Sequence, residues 1–180
     1  MTAPKTVSAR MRTGFNRGSA AATMVALCAI AVGVAIYAFL RPQPAAFLPV
    51  GWHRPLSHGL PAVVMAGLPT FVHALVMSLL NATVLAVRSN AARGAICTAW
   101  CAIEIVFEVA QHPAIGLPLL ASLPSALAGT GAFTALASFV RGGTFDPLDI
   151  AAAAFGSLAA YAVLIRTNGT SANPMEAQHA

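Results

Sequence analysis

Residues 99–112 read Ala-Trp-Cys-Ala-Ile-Glu-Ile-Val-Phe-Glu-Val-Ala-Gln-His, with Glu104 and Glu108 set into an otherwise apolar run. The run has the character of a membrane helix, yet it holds two of the five acidic residues of the chain. A spacing of four between the glutamates, and three more to Gln111, puts all three on one helix face. Cys101 and Cys97 continue that stripe backwards at intervals of three and four. A charge at the centre of a bilayer costs about 2.5–3.5 kcal/mol even on insertion scales, so two carboxyls here require a local use.

Composition supports the membrane reading. The 180 residues are 58% hydrophobic and only 8% charged, with mean hydropathy +0.75. A soluble domain would carry about 25% charged residues. The length suits one membrane domain of four or five helices at about 20 residues each. The net charge of +5 does not indicate nucleic acid: four of the ten basic residues (Lys5, Arg10, Arg12, Arg17) lie in the first 19 residues, and no basic, aromatic surface accompanies them. Basic residues flanking apolar runs instead mark cytoplasmic ends. The sequence contains no glycine-rich phosphate loop, no Gly-x-Ser-x-Gly elbow and no zinc spacing. Cys97, Cys101, Glu104 and Glu108 follow one another along a single helix face and so do not surround an ion. Neither metal nor cofactor is expected.

Taken in order, residues 1–19 form a basic, cytoplasmic N-terminal tail, followed by a membrane domain over 20–166. The apolar run 20–40 is longer than a signal-peptide core of about 7–15 residues, which favours a retained first helix with the N-terminus inside. Residues 41–60 hold Pro42, Pro44 and Pro55 and read as a loop, with Trp52 suited to the headgroup level. His53 and His58 in that loop lack a third ligand and read as interfacial. Pro69 is expected to open the second helix, 69–88, which places His73 in its first turn. Arg88 and Arg93 bracket a short cytoplasmic connection, so the third helix, 94–111, runs outward. Residues 113–140 lack charge but are broken by Pro118, Pro124, Gly129 and Gly131. They are expected either to span the membrane or to re-enter as two short helices. The last helix, 148–165, follows a turn rich in glycine, with Asp149 or Asp146 able to cap it. Asp149, Ala153, Gly156 and Ala160 form a stripe that allows close helix approach. Residues 167–180 are polar and expected to be disordered. The fold class is therefore all-α, a polytopic membrane bundle of four transmembrane helices plus a re-entrant or fifth apolar segment.

If residues 113–140 return to the side they left, four of the five acids (Glu104, Glu108, Asp146, Asp149) meet at one end of the bundle. His73, Gln111 and Arg141 join them. Each residue also has a structural reading: Glu104 hydrogen-bonded between helices, Arg141 with Asp146 pinning a turn, His73 as an interfacial histidine.

The same residues carry a family resemblance. His73 in Pro69-Thr-Phe-Val-His73, Glu108-Val-Ala-Gln111, and Arg141 followed by Phe145-Asp146-Pro-Leu-Asp149-Ile and Gly156 resemble the pattern of the VanZ-like membrane proteins, over roughly residues 69–165. Ala153 stands where that family tends to have Asn, and the interval from Gln111 to Arg141 is longer than usual. The resemblance implies a small, multi-pass protein of the bacterial inner membrane. It implies no defined reaction, although the namesake is associated with resistance to the glycopeptide teicoplanin.

Two functions follow as expectations. In the first, an extracytoplasmic-facing site binds or acts on a cell-envelope or lipid-linked molecule. His73 and Glu108 exchange protons there, Asp146 or Asp149 orients them or holds a cation, and Arg141 binds an anionic group such as a phosphate, with Gln111 a further candidate beside Glu108. In the second, the polar residues only lock the bundle of a non-enzymatic structural or partner-binding module. Proton-coupled transport is less favoured because no repeated half is present. The bilayer is the expected partner in each case; oligomeric state is not legible.

Overall fold

Six α-helices account for most of the described residues, and no strand occurs among them. The computed structural model describes residues 17–40, 48–49, 51–54 and 62–169. The helices are α1 (Arg17–Ala35), which ends in a π-helical turn over Ile36–Leu40, α2 (Ala62–Val84), α3 (Asn90–Ala110), α4 (Pro113–Ser122), α5 (Gly131–Gly142) and α6 (Pro147–Gly169). Three segments are long and apolar enough to cross a membrane: Gly18–Leu40, Gly67–Val84 and Pro147–Thr167. A fourth arises if α3 and α4, bent by 87° at their junction, are counted as one span. This is the signature of a multi-pass membrane protein. The expected tails before residue 17 and after residue 169, and most of the 41–60 loop including His58, lie outside the described residues.

The core is built from small side chains. Ala22 and Ala26 of α1, Leu75, Leu79 and Ala82 of α2, Cys97 of α3, and Ala160 and Leu164 of α6 form one buried cluster. Close approach replaces bulk here, as is usual where lipid supplies no hydrophobic force between helices. The stripe on α6 does this work: a Cβ on Gly156 would stand 2.4 Å from the Phe71 backbone oxygen, and Ala153 and Ala160 are fully buried. Gly67 of α2 meets Ala152 and the Leu148 backbone in the same way, which sets the first turn of α6 level with residues 67–70.

Several boundaries differ from expectation. Pro69 does not open the second helix but lies inside it, seven residues past its start. A membrane helix tolerates this because neighbouring groups and local adjustment satisfy the freed carbonyl. His73 consequently sits midway along α2, not in its first turn. At the other end α2 stops at Val84, not Arg88. Ala86 adopts φ +49°, and the Val87 N–H returns to the Ala82 oxygen at 3.0 Å, a left-handed stop. Ser89 then caps α3 by accepting the Ala92 N–H at 3.2 Å, so α3 begins four residues earlier than expected. Arg93 is buried and closes this corner, donating to Asn90 Oδ1 at 3.0 Å and to the Val87 oxygen at 3.3 Å.

Pro113 ends α3. The residue before a proline is pushed to extended backbone, and His112 has φ −68° and ψ 123°. The chain turns there, and His112 Nδ1 accepts the Ala114 N–H to cap α4. Residues 113–140 thus fold as two helices of 10 and 12 residues joined through a 3₁₀ turn over Ser125–Leu127, both well short of the ~20 residues of a span. Gly116 lets α4 pack against the end of α3, where a Cβ would lie 2.0 Å from the Ala110 oxygen.

Candidate functional site

The loop between α5 and α6 folds against the last turns of α3, and an open cleft of about 610 Å³ forms there. Its polar wall consists of Glu104, Glu108 and Gln111 from α3, Thr70 from α2, Thr144 and Asp146 from the loop, and Asp149 from α6. Phe107 and Phe139 supply an apolar wall, their rings meeting edge to face at 5.6 Å. Among the described residues neither lysine nor arginine lines it.

Each acid has a separate anchor. Glu108 is buried, and its carboxylate accepts the backbone N–H of Asp146 in a short hydrogen bond that ties α3 to the loop. Asp146 itself caps α6, its Oδ1 accepting the Leu148 N–H at 2.9 Å, with Pro147 in the first helical position. The cap is therefore Asp146, while Asp149 lies in the first turn and accepts a hydrogen bond from Thr70 Oγ1 at 2.8 Å. Glu104 pairs with His73: its carboxylate contacts the imidazole Nδ1 in a short hydrogen bond, and the Trp100 ring meets the imidazole edge to face at 6.1 Å. The histidine side chain remains 54% exposed although its partner is only 11% exposed.

Gln111 and Gly143 fit together closely. A Cβ on Gly143 would stand 2.2 Å from Gln111 Oε1, so the glycine makes the space that the amide fills. His112, the next residue, packs its ring on Phe145 at 5.0 Å and fixes the loop to the α3–α4 corner.

Five of the six residues singled out from sequence are thus found in or beside the cleft: Glu108, Gln111, Asp146 and Asp149 line it, and His73 reaches it through Glu104. Arg141 does not join them. It is exposed at the end of α5, faces a separate groove with Phe133, Thr134 and Ser138, and forms no ion pair with any described residue. The next residue, Gly142, lines both this groove and the cleft, but the arginine lines the groove alone. The pairing of His73 also differs from expectation, since its carboxylate partner is Glu104 and not Glu108. Glu104, expected among the converging acids and as a hydrogen bond between helices, does bridge α3 to α2, whereas Thr70 is a lining residue with no expectation attached to it. Thr70 precedes His73 by three positions and so shares its helix face, a signal that was available. Among the described residues no three His, Cys, Asp or Glu side chains are arranged to hold a metal ion.

No family model, no curated protein and no solved structure matches this chain. As built, the cleft can accept hydrogen-bond donors at four carboxylates and one amide, and the His73–Glu104 pair can take up or release a proton at its edge.

Proposed function

We propose that the chain is a VanZ-like protein of the bacterial inner membrane whose cleft binds, and through His73 exchanges a proton with, the polar part of a cell-envelope or lipid-linked molecule. The observation that carries this reading is the convergence of four of the five acids of a very apolar chain on one 610 Å³ cleft. Ionisable groups inside membrane segments are costly and mark functional sites by default. The absence of lysine and arginine from the lining favours a donor-rich ligand, with hydroxyl or amino groups, over the anionic group first expected for Arg141. In the proton step Glu104 orients the imidazole through Nδ1 and leaves Nε2 to act as base or acid. Glu108 holds the loop in place and adds negative potential. With the N-terminus cytoplasmic, four helices crossing and 113–140 re-entrant, the cleft faces the extracytoplasmic side.

The test uses Glu108→Gln, which keeps an acceptor for the Asp146 N–H while removing the charge. Cells carrying the variant at normal protein level are expected to lose the wild-type response to envelope-targeting antibiotics, a glycopeptide included. Wild-type behaviour at normal abundance sinks the proposal.

A second reading has its own support: three polar contacts among the described residues each join different elements, α2 to α3, α2 to α6, and α3 to the loop before α6. A purely structural module would use them as locks. In that case variants of Thr70, Glu104 and Glu108 lower thermal stability in detergent, and any phenotype follows protein abundance alone.

A further inference from the structure

A second opening lies on the flank of the bundle. Between α1 and α2 runs a groove of about 410 Å³, within the ~300–1,000 Å³ typical of small-molecule sites. Ile30 and Val34 of α1 and Val72 and Val76 of α2 make it apolar, and the π-helical turn at the end of α1 brings Tyr37 to it. Gly33 faces α2 across the groove, where a Cβ would stand 3.2 Å from Val72 Cγ1. The groove would be an ordinary lipid-facing furrow but for its polar end. His73 opens into it, and Thr70 and Glu104 line both this groove and the acidic cleft. A half-exposed imidazole midway along a membrane helix is unfavourable against acyl chains alone and calls for a polar partner from the groove side. Its Nδ1 is engaged by Glu104, which leaves Nε2 to meet that partner.

Building on the cleft reading, we infer that this groove holds the hydrocarbon chain of a single-chain amphiphile whose amino or hydroxyl head rests against His73 and Glu104. Thr70 and Glu104 form the wall common to the two openings, so a head at the His73 end of the groove lies on the other side of that wall from the acids of the cleft. Complementarity selects the head: Glu104 lines the groove itself, Glu108 and Asp146 stand beyond it, and among the described residues neither lysine nor arginine lines either opening, which disfavours a phosphate or carboxylate and suits an ammonium or a diol. The chain is selected by the groove, which is apolar along α1 and α2 and polar only where His73 stands.

Photo-crosslinking of the full chain in phosphatidylcholine nanodiscs tests this. The probes are a diazirine-bearing sphingosine, a single-chain amino diol, and a diazirine fatty acid of equal length. Expected are cross-links concentrated at residues 30–37 and 72–76, with the sphingosine favoured at least about fivefold, the ratio that ~1 kcal/mol of head-group preference gives. Val34→Trp fills the groove and is expected to cut this labelling by a similar factor, whereas Leu27→Trp, on an exposed face of the same helix, leaves it unchanged. His73→Ala is expected to abolish the preference between the probes. Labelling spread evenly over exposed apolar faces, equal labelling by both probes, or labelling insensitive to Val34→Trp each overturns the inference. The two proposals fail separately. If Glu108→Gln removes the envelope phenotype but no groove labelling is found, the cleft reading stands and the groove inference falls. If Glu108→Gln is silent at normal abundance, the cleft reading falls, whatever the probes show.

Discussion

Glu108 accepts the backbone N–H of Asp146, and so one buried carboxylate on α3 holds the residue that caps α6. The two ends of the 113–140 segment are joined by this contact and by the fit of Gln111 over Gly143. The cleft exists because of that closure: without it the acids of α3 and those at the head of α6 would have no common wall.

Removing the acceptor and removing the charge should have different effects. Glu108→Ala leaves the Asp146 N–H without its partner, which costs about 1–3 kcal/mol for a buried donor. Glu108→Gln retains an acceptor oxygen and should unfold close to wild type. Thermal unfolding in detergent checks both. An equal loss of stability in the two variants would show that the charge, not the hydrogen bond, holds the loop.

Gly156 lies where α6 packs directly against the backbone of α2. Alanine there places a Cβ 2.4 Å from the Phe71 backbone oxygen and 3.2 Å from the Ala74 Cβ, and backbone does not yield as a side-chain tip does. Gly156→Ala is expected to destabilise the bundle by about 1–3 kcal/mol, the usual cost of overpacking. Gly67→Ala, whose Cβ would first meet the Ala152 Cβ at 3.1 Å, should cost less. Unfolding by SDS titration ranks the two, and the reverse order would contradict the packing described.

Much of this architecture was legible in the residues, and the failures have physical causes. Long apolar runs bounded by arginine located the bundle helices, because the bilayer fixes their length and composition. The small-residue stripe on α6 was readable for the same reason, since membrane helices meet through small side chains. Pro69 misled because its rule comes from water, where an internal proline breaks a helix; in a membrane bundle the break is tolerated. The site was legible as a set of residues but not as a set of pairs. Spacing put Glu104 and Glu108 on one face, yet only the rotation and depth of α2 decide that His73 meets the former. Arg141 was grouped with the acids by its place in the chain, and the direction of α5, which no periodicity encodes, takes it elsewhere.

Ala86 ends α2 in the left-handed region, with φ +49° and an exposed side chain. A residue with a Cβ loses roughly 1–2 kcal/mol there relative to a right-handed conformation, a penalty that glycine escapes. Ala86→Gly is therefore expected to stabilise the protein, by about 1 kcal/mol at most once the larger chain entropy of glycine is counted. A rise in unfolding midpoint with no change in the cleft phenotype is the expected result; a fall would mean that the turn adopts another conformation in the membrane.

Gly143 offers a way to disturb the cleft without touching an acid. Its alanine variant would drive a Cβ to within 2.2 Å of Gln111 Oε1, and the long amide side chain, being flexible, is what moves. Gly143→Ala should displace Gln111 from the cleft and impair whatever binds there, with a stability loss at the low end of the ~1–3 kcal/mol for overpacking. Shortening the neighbour relieves the clash, so Gln111→Ala in the Gly143→Ala background should restore stability without restoring function. Function returning with stability would remove Gln111 from the site.

The same closure puts the C-terminal end of α3 and the start of α6 at one end of the bundle, and labelling reads which side of the membrane that end faces. Residues 113–122 and 131–142 form helices too short to cross, and the segment leaves from and returns to one end of α3. Thr144 and Ala114 are exposed and lie at that end, while the exposed Ser89 lies at the other end of α3. Single cysteines at these positions, in a background without Cys28, Cys97 and Cys101, should divide into two classes with a membrane-impermeant maleimide. Thr144→Cys and Ala114→Cys are expected to react in intact cells, and Ser89→Cys only after permeabilisation, because the basic residues around it favour the cytoplasm. Reaction of all three in the reverse sense would turn the cleft toward the cytoplasm and leave its geometry intact. Reaction of Thr144→Cys and Ala114→Cys from opposite sides would mean that the intervening segment crosses the bilayer, and the contact between Glu108 and Asp146 could then not form.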